Sequence, residues 1–330
     1  MTSLNEDPKD HNRWIEPIEA AFRGVQPTGL KIACPACGKQ GLLITRWVKG
    51  PKTKPLYVMH KQRNVLTRVC ELSDEQASVA REAVTIRDSD VRRFLMSRRA
   101  FVLYSGGKDS LATIYYLKSL LDKTDSSLTA IYVDTTAGLP ENTGYVKEVS
   151  RWLQVRLEVV KPQSDYFTLA KEWGIPSHGY RWCCRELKIK PIQEFLNNVD
   201  GPAVIFDGIR AVESYLRSKY LPIWYHPGFK CISVSPIFNW TNEQVQSVIS
   251  SDGLPKNLLP KMKSSLECWC GAYKSEADFI DLYQLNPEFF SKLADVEKSN
   301  DYRYTYIYKN GKQKSLDELR RELKKSENSE

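Results

Sequence analysis

Residues 101–117 read FVLYSGGKDSLATIYYL, and the junction inside that stretch decides how the rest of the chain is read. Phe101–Tyr104 is an apolar run with the make-up of a buried strand. Ser105-Gly106-Gly107 punctuates it, and from Lys108 the apolar residues recur at helical spacing. A strand that turns tightly into a helix gathers main-chain N–H groups into one concave bend. Glycine at 106 and 107 lets an anion approach the backbone with no Cβ in the way. The helix start adds unsatisfied donors and a partial positive charge. Ser105 and Ser110 add hydroxyls, and Lys108 a full charge. Such a turn is predicted to hold phosphates, although its spacing is not the Walker G-x-x-x-x-G-K-S/T. A lone Gly-Gly pair would read as an ordinary surface turn; six such residues in order at a β–α junction do not.

Outward from that junction the chain alternates strand and helix. RAFVLY, LTAIYVD, LEVVKP and AVIFDGI read as strands; KDSLATIYYLKSLLDK, ENTGYVKEVSRWL, YFTLAKEWG, PIQEFLNNV and TNEQVQSVISSDG read as helices. Repeated β–α units predict an α/β fold with a doubly wound, mostly parallel sheet, whose strand ends carry the ligand site. Upstream, 30–72 is a series of short β-like runs, and 73–98 opens with a Ser-x-x-Gln capping signature and reads as a helical connector. Downstream, EADFIDLYQLNPEFFSKLADVEK is helical, a hairpin is expected around Asn310-Gly311, and a charged helix follows.

The chain has 330 residues, 42% hydrophobic and 27% charged, and lacks a long apolar run, which excludes a transmembrane helix. Its first residues are polar and acidic, unlike a signal peptide, so a cytoplasmic location with reduced thiols is expected. Eight cysteines therefore need a use other than disulfides. Cys34-Pro35-Ala36-Cys37-Gly38 is a knuckle of the zinc-ribbon kind, and His60 and Cys70 are its available partners before the connector. Such a segment is too poor in apolar residues for a core of its own, so Zn²⁺ would stabilise it. Cys183-Cys184 and Cys268-Trp269-Cys270 form a second set of four thiols, suited to an iron–sulfur cluster or zinc. Cys231 suits a small buried residue, although it could replace one of the four. The net charge is +8, and from Arg46 to Arg68 there are seven Lys/Arg and no acid, with Trp47 and Tyr57 interleaved. That stretch reads equally as a solvated basic face or as a nucleic-acid surface.

SGGKDS resembles the pyrophosphate loop of the PP-loop ATP pyrophosphatases, and more of the chain resembles one branch, the PAPS/APS reductase (phosphoadenosine phosphosulfate reductase) family. Asp134-Thr135 through Leu139-Pro140-Glu141-Asn142-Thr143 is similar to its D-T-G-x-x-x-P-E-T, with Thr136 in place of glycine. Trp182-Cys183-Cys184 with Lys188 and Pro191, Gly208-Ile209-Arg210 through Glu213-Ser214 and Arg217, and Ser235-Pro236-Ile237 with Trp240-Thr241 resemble three further motifs. The matches cover about 100–275. The domains expected are an arm (1–29), a zinc-ribbon-like module (30–72), the connector (73–98), a PP-loop domain (99–275) and a helical C-terminal region (276–330).

The resemblance implies ATP bound by Ser105, Gly106, Gly107, Lys108, Asp109, Ser110, Asp134, Thr135, Arg210 and Glu213. Lys108, Asp109, Asp134 and Arg210 are the implied catalytic set, with Mg²⁺ at Asp109 or Asp134. Asp134 alone could equally be a strand-end turn residue. Arg210 and Arg217, seven apart, would share a face if helical and suit an anion, or serve as surface ion-pair residues. Cys183, Cys184, Cys268 and Cys270 resemble the ligands of the iron–sulfur APS reductases, which implies a 4Fe–4S cluster, with C-x-C here where that family has C-x-x-C. Those reductases use a C-terminal thiol, absent from 271–330, and an altered loop; here the loop has its full ATP-handling form. The activity expected is therefore ATP-dependent sulfur transfer forming AMP and pyrophosphate. An acceptor oxygen attacks the α-phosphorus, and a sulfur donor, cluster-bound or persulfide, displaces AMP. tRNA or DNA is the candidate acceptor, through 46–68. The alternatives are an APS/PAPS reductase using an external thiol, which would form sulfite, and a non-catalytic nucleotide sensor. A homo-oligomer is compatible with each, and the sulfur or electron donor stays open.

Overall fold

The computed structural model describes residues 30–44, 57–62, 65–82, 86–121, 128–214, 217, 220, 222–226, 228–250, 255, 266–309 and 312–327. The expected arm and more than half of the basic 46–68 stretch lie outside them.

Four strands come first, β1 (Leu30–Ala33), β2 (Gln40–Ile44), β3 (Tyr57–Gln62) and β4 (Val65–Glu71), paired antiparallel in chain order. Val58 lies opposite Cys70, and the register shifts after His60. Side chains alternate along a strand, so Val58, His60 and Cys70 share one face. The core there is small: Ile32, Cys34, Val58, Cys70 and Leu72, with Ala77 and Ala80 from α1 (Asp74–Glu82). The expected capping box starts that helix: Ser73 N donates to Gln76 Oε1 (3.1 Å) and Gln76 N to Ser73 Oγ (3.2 Å). Helix α2 (Asp88–Ser97) completes the connector.

The alternation then runs β5 (Arg99–Leu103), α3 (Lys108–Ser119), β6 (Leu128–Val133), α4 (Pro140–Trp152), β7 (Arg156–Val160) and α5 (Tyr166–Trp173). A helical turn, α6 (Trp182–Cys184), continues through a π-helical turn (Arg185–Ile189) into α7 (Lys190–Asn197). Strand β8 (Ala203–Phe206), a 3₁₀ turn (Ala211–Glu213), β9 (Ile223–His226), β10 (Cys231–Val234) and α8 (Asn242–Ile249) follow. The six strands form one sheet in the order β7-β6-β5-β8-β10-β9, with β9 antiparallel at the edge. The order reverses at β5, whose carboxyl end runs into Ser105, the place where open α/β sheets bind ligands.

The C-terminal region holds α9 (Glu276–Leu285), α10 (Pro287–Ser299), a hairpin of β11 (Ile307–Lys309) and β12 (Lys312–Lys314), and α11 (Leu316–Glu327). The single helical run read from EADF to DVEK is two helices. Pro287 disfavours the α conformation for Asn286, which sits at φ −144°, ψ 76° and caps the second helix by accepting from Phe289 N at 2.9 Å. None of the described helices is long and apolar enough to cross a membrane.

The chain packs as two compact units. One is Met1–Val102, Ala112–Leu128 and Gly201–Val248; the other is Leu103–Leu111, Thr129–Asp200 and Ile249–Glu330. In the second unit, Tyr166, Trp182 and Trp269 share a core with Phe279, Phe290 and Leu293 of the C-terminal helices. Glu297 is buried in that unit and accepts from Tyr306 N (2.9 Å) and Leu316 N (2.6 Å), joining α10 to the hairpin and to α11. Burial pushes its carboxyl from 4.5 up to about 7, against the pull of those two amides. A raised acid pKa means the folded chain holds the proton longer than the unfolded one. Stability is therefore full below about pH 4.5 and falls as pH rises through about 7, by on the order of 3 kcal/mol. Urea melts across that window should show the decline in the parent chain and lose it in Glu297→Gln; an equal slope in both would count against this carboxyl as its source.

Candidate functional site

The loop after β5 is built from its own side chains. Ser110 Oγ donates to Gly107 O (2.9 Å) and lies 3.1 Å from Ser105 Oγ; Ser105 N donates to Ser110 Oγ (3.3 Å), and Gly107 N to Ser105 Oγ (3.3 Å). Helix α3 starts at Lys108, whose side chain is exposed, with Asp109 half-buried in its first turn. Gly106 has φ +82°, and a Cβ there would lie 2.5 Å from Asn142 Oδ1 and 3.1 Å from Val146 Cγ2. Asn142 is itself held, its amide donating to Ser105 O (3.0 Å) and Tyr132 Oη (3.3 Å). The bend is thus fixed before any ligand arrives, and preorganised amides at a helix start suit an anion.

Asp134 ends the neighbouring strand β6. One carboxylate oxygen accepts from Thr136 N (3.1 Å) and the other meets Lys161 Nζ (3.0 Å). A carboxylate has about four acceptor sites, so these two contacts leave capacity for a cation. Thr136, standing where the related motif has glycine, adopts φ +59°. A β-branched residue is strained there, by about 1–2 kcal/mol. Its hydroxyl offsets this by donating to Thr135 O (2.6 Å) and accepting from Tyr166 N (2.7 Å). Thr135 is buried, and its hydroxyl donates to Glu267 O at 2.9 Å.

That last bond belongs to a seam joining 135–139 to the arm that carries the second cysteine pair. Leu139 N donates to Leu266 O (3.2 Å) and Trp269 N to Ala137 O (2.6 Å). At Gly138 a Cβ would lie 2.6 Å from the Glu267 carbonyl oxygen. Lys188, from the π-helical turn, meets both Glu267 carboxylate oxygens (2.8 and 2.9 Å). Burial works against the ammonium, but Glu267 outweighs it and the lysine pKa rises. Neither Gly138 nor Glu267 was singled out by the sequence reading.

The four thiols of the second set lie in one unit and adjoin pairwise, without drawing together as one closed ligand group among the described residues. Cys183 touches Cys184 and Cys270, and Cys270 touches Cys268. Hydrogen bonds from Cys183 and Cys268 hold Cys270 down to about 3. The Cys183 thiol, with the charges of Arg181 and Lys188, holds Cys184 at about 7 against its burial. Cys183 and Cys268 are pushed up. The Trp269 indole N–H, fully buried between the second pair in sequence, has no hydrogen-bond acceptor among the described residues. A donor set of four thiols, two nearby cations and a buried unsatisfied N–H fits an anionic thiolate-bound cluster. Cys231 belongs to the other unit, buried on β10 and pushed up to about 12 by burial.

In the first unit, Arg210 does not share a helix face with Arg217. Arg210 is extended (φ −122°, ψ 142°), and the 3₁₀ turn after it stops at Ser214 (φ −165°, ψ 156°), so the seven-residue spacing has no helix to act on. The Arg210 guanidinium is buried and donates to Trp240 O (3.1 Å) and Asn242 Oδ1 (3.0 Å). Glu213 accepts from Arg210 N (2.8 Å) and pairs with Arg217. Asp207, which the sequence reading passed over, ends β8 buried, accepting from Ser233 Oγ (2.9 Å), Ser235 Oγ (2.6 Å) and Ile209 N (3.1 Å). Its pKa is raised by burial despite those bonds.

The same unit brings together Cys34, Cys37, His60 and Cys70, with their ligand atoms all within 4.8 Å of one another. Cys34 O accepts from Cys37 N (3.2 Å) and Gly38 N (2.8 Å), and Gly38 turns at φ +72°. His60 Nδ1 lies 3.0 Å from Gln40 O, which leaves Nε2 facing Cys37 Sγ at 3.4 Å. The amide of Lys39 lowers the Cys37 pKa, and burial raises that of Cys70. Gly41 makes room for the ring, since a Cβ there would lie 2.9 Å from His60 Nδ1 and 2.4 Å from Val58 Cγ1. Three thiols and an oriented imidazole at that spacing suit a tetrahedral ion.

Comparison with known proteins adds one decisive match: residues 99–270 fit the phosphoadenosine phosphosulfate reductase domain. The chain belongs to the phosphoadenosine phosphosulfate reductase family. This is a nucleotide-binding PP-loop family whose members are enzymes. An uncharacterized protein of Methanocaldococcus jannaschii is 31% identical over 226 residues, 67% of this chain and 53% of its own length. The adenosine 5'-phosphosulfate reductase of Oceanobacillus iheyensis is 29% identical over 146 residues, 43% of this chain and 60% of that protein. The chain thus spans about half the length of the curated relatives it matches. Phosphoadenylyl-sulfate reductase from Candida auris, solved as a phosphate complex, has a TM-score of 0.42 at 20% identity over 57% of this chain and 91% of that one.

Proposed function

We propose that this family member is an ATP-dependent sulfur-transfer enzyme that forms AMP and pyrophosphate. The observation that carries the reading is the Ser105–Ser110 loop, complete in sequence and locked open by Asn142 at Gly106. In this reading the loop amides and Lys108 hold the β- and γ-phosphates, and Asp109 and Asp134 hold Mg²⁺, which when bound neutralises phosphate charge. An acceptor oxygen attacks the α-phosphorus, pyrophosphate leaves, and a sulfur donor then displaces AMP from the adenylate. Positioning and electrostatics supply most of the rate in such steps. Arg210 and Glu213 serve by holding the segment after β8, since the guanidinium is buried and already bonded. Cys183, Cys184, Cys268 and Cys270 hold a 4Fe–4S cluster, which supplies redox or sulfur-handling chemistry when bound. Cys34, Cys37, His60 and Cys70 hold a structural Zn²⁺. A nucleic acid, tRNA or DNA, is the acceptor.

The test is to incubate anaerobically purified full-length chain with ATP, Mg²⁺ and candidate acceptors. AMP and pyrophosphate formed in equal amounts support the reading. A second reading, reduction of APS or PAPS by an external thiol, draws on the reductases among the relatives; sulfite released from APS without use of ATP would establish it instead. Nucleotide binding with neither product would mark a sensor. For the zinc site, Gly41→Ala is expected to displace His60 and lower metal affinity by about 10–100-fold. Chelator titration of the purified chain reads this out, and unchanged zinc retention would remove His60 from the ligand set.

A further inference from the structure

The side chains around the four thiols present a face that the proposed function does not use. Ser177 and Tyr180 close a tight turn, with Ser177 N donating to Tyr180 O (3.2 Å) and Tyr180 N to Ser177 O (3.1 Å). That turn holds His178 and Tyr180 outward, immediately before Arg181 and the first cysteine pair. Tyr273, three residues after Cys270, stands edge-to-face with His178 at 5.2 Å. Arg181 lies 5.6 Å over the Tyr273 ring and donates to its hydroxyl. Tyr180 and Tyr273 are each about 60% exposed, far above what a core aromatic shows. A second group of rings surrounds Trp182, the residue after Arg181. Trp173 meets Trp182 edge-to-face at 5.5 Å, Trp182 Nε1 donates to Gly174 O (3.0 Å), and the Tyr304 ring covers Gly174. Trp173 and Tyr304 are exposed as well.

Aromatic rings standing in water beside an arginine suit two kinds of partner, a protein hot spot or a single-stranded nucleic acid. The charge favours the second. The exposed residues 177–181 and 273 carry His178 and Arg181 and no acid, in a chain of net charge +8, while Lys274 turns inward, its Nζ 4.1 Å over the buried Trp269 ring. π-faces beside an exposed guanidinium match the alternation of base and phosphate along an unpaired strand, and the closed turn holds its rings in place before binding, which lowers the ordering cost.

We propose that Tyr180, Arg181 and Tyr273, extended by Trp173 and Tyr304, form a docking platform for unpaired bases of a single-stranded nucleic acid beside the Cys183–Cys184 pair. This deepens the proposed function by naming the surface and the form of its acceptor, and it rests on that reading for the meaning of the binding. The test uses the full-length chain and fluorescent oligonucleotides of about a dozen nucleotides, within the span of single-strand sites. Single-stranded RNA, single-stranded DNA and blunt duplex DNA are compared by anisotropy between about 50 and 200 mM salt. Both single strands, or one of them, should bind at least about tenfold tighter than duplex. Tyr180→Ala with Tyr273→Ala should cost at least about tenfold with the salt slope unchanged, since stacking carries no charge. Arg181→Gln should lower the slope by about one, and an unchanged slope would remove the guanidinium from the platform. The RNA and DNA arms decide which strand is preferred.

Equal binding by parent and double variant, with melting curves superimposed, would overturn the platform, as would equal binding of duplex. Capture of a thioredoxin-like reductase by this face, in place of oligonucleotide, would overturn it in favour of a protein partner. Pyrophosphate release from ATP is measured in the same samples. Turnover without oligonucleotide binding defeats the platform alone, and tyrosine-dependent binding without turnover defeats the sulfur-transfer reading alone.

Discussion

Gly106→Ala is expected to abolish nucleotide binding, lowering affinity by at least about 100-fold, or about 2.7 kcal/mol. Two costs add. Alanine at φ +82° is strained by about 1–2 kcal/mol, and its Cβ would sit 2.5 Å from Asn142 Oδ1. Asn142 cannot swing away cheaply, because its amide is bonded to Ser105 O and Tyr132 Oη. The bend must therefore open, and the amides lose their common target. Gly107→Ala is the internal control: its Cβ would meet only Ser105 Oγ, at 3.3 Å, so a much smaller loss is expected. Isothermal titration with a non-hydrolysable ATP analogue reads both. Equal affinities for the parent and Gly106→Ala would show that this bend does not hold the phosphates.

Gly138→Ala should act on a different property, the retention of iron by the proposed cluster. Its Cβ would lie 2.6 Å from Glu267 O, 3.2 Å from that carbonyl carbon and 3.4 Å from Leu266 O, all main-chain atoms that no rotamer change can remove. The arm must shift, which loosens the Thr135–Glu267, Leu139–Leu266 and Trp269–Ala137 hydrogen bonds together. Overpacking of this kind costs about 1–3 kcal/mol, and each hydrogen bond weakened about 1 more. The expected result is a chain that melts several degrees lower and purifies with a small fraction of the parent's iron. Thr135→Val, which removes one bond without a clash, should lie between the two. Full iron content and an unchanged melt in Gly138→Ala would mean that the seam does not position Cys268 and Cys270.

The contrast between these glycines explains what could be read in the sequence. Gly106 lies within a run of six contiguous residues whose chemistry declares itself, so the loop, the strand before it and the helix after it were legible. The same holds for Cys34, Cys37, His60 and Cys70: ligand-type residues are few in that stretch, and the strand register then brings them together. Gly138 was invisible because its neighbour is 129 positions away in the chain, and the Thr135–Glu267 bond spans 132. The Lys188–Glu267 pair spans 79 and was missed for the same reason. The Arg210–Arg217 spacing misled because periodicity means something only inside an element, and the helical turn there is too short. Thr136 was legible as a departure from the related motif, but the hydroxyl bonds that make its left-handed backbone tolerable belong to the folded chain.

The seam also sets an order of events during synthesis. Cys183 and Cys184 leave the ribosome 84 residues ahead of Cys268, a delay of about 4–17 s at ~5–20 residues per second. Through that interval the main-chain groups that anchor the later arm have no counterpart, and two adjacent thiols are carried on a nascent chain without their companions. On the proposed cluster assignment, iron loading is thereby a late event, and translation stalled between the pairs would yield a product whose vicinal thiols stand open to oxidation.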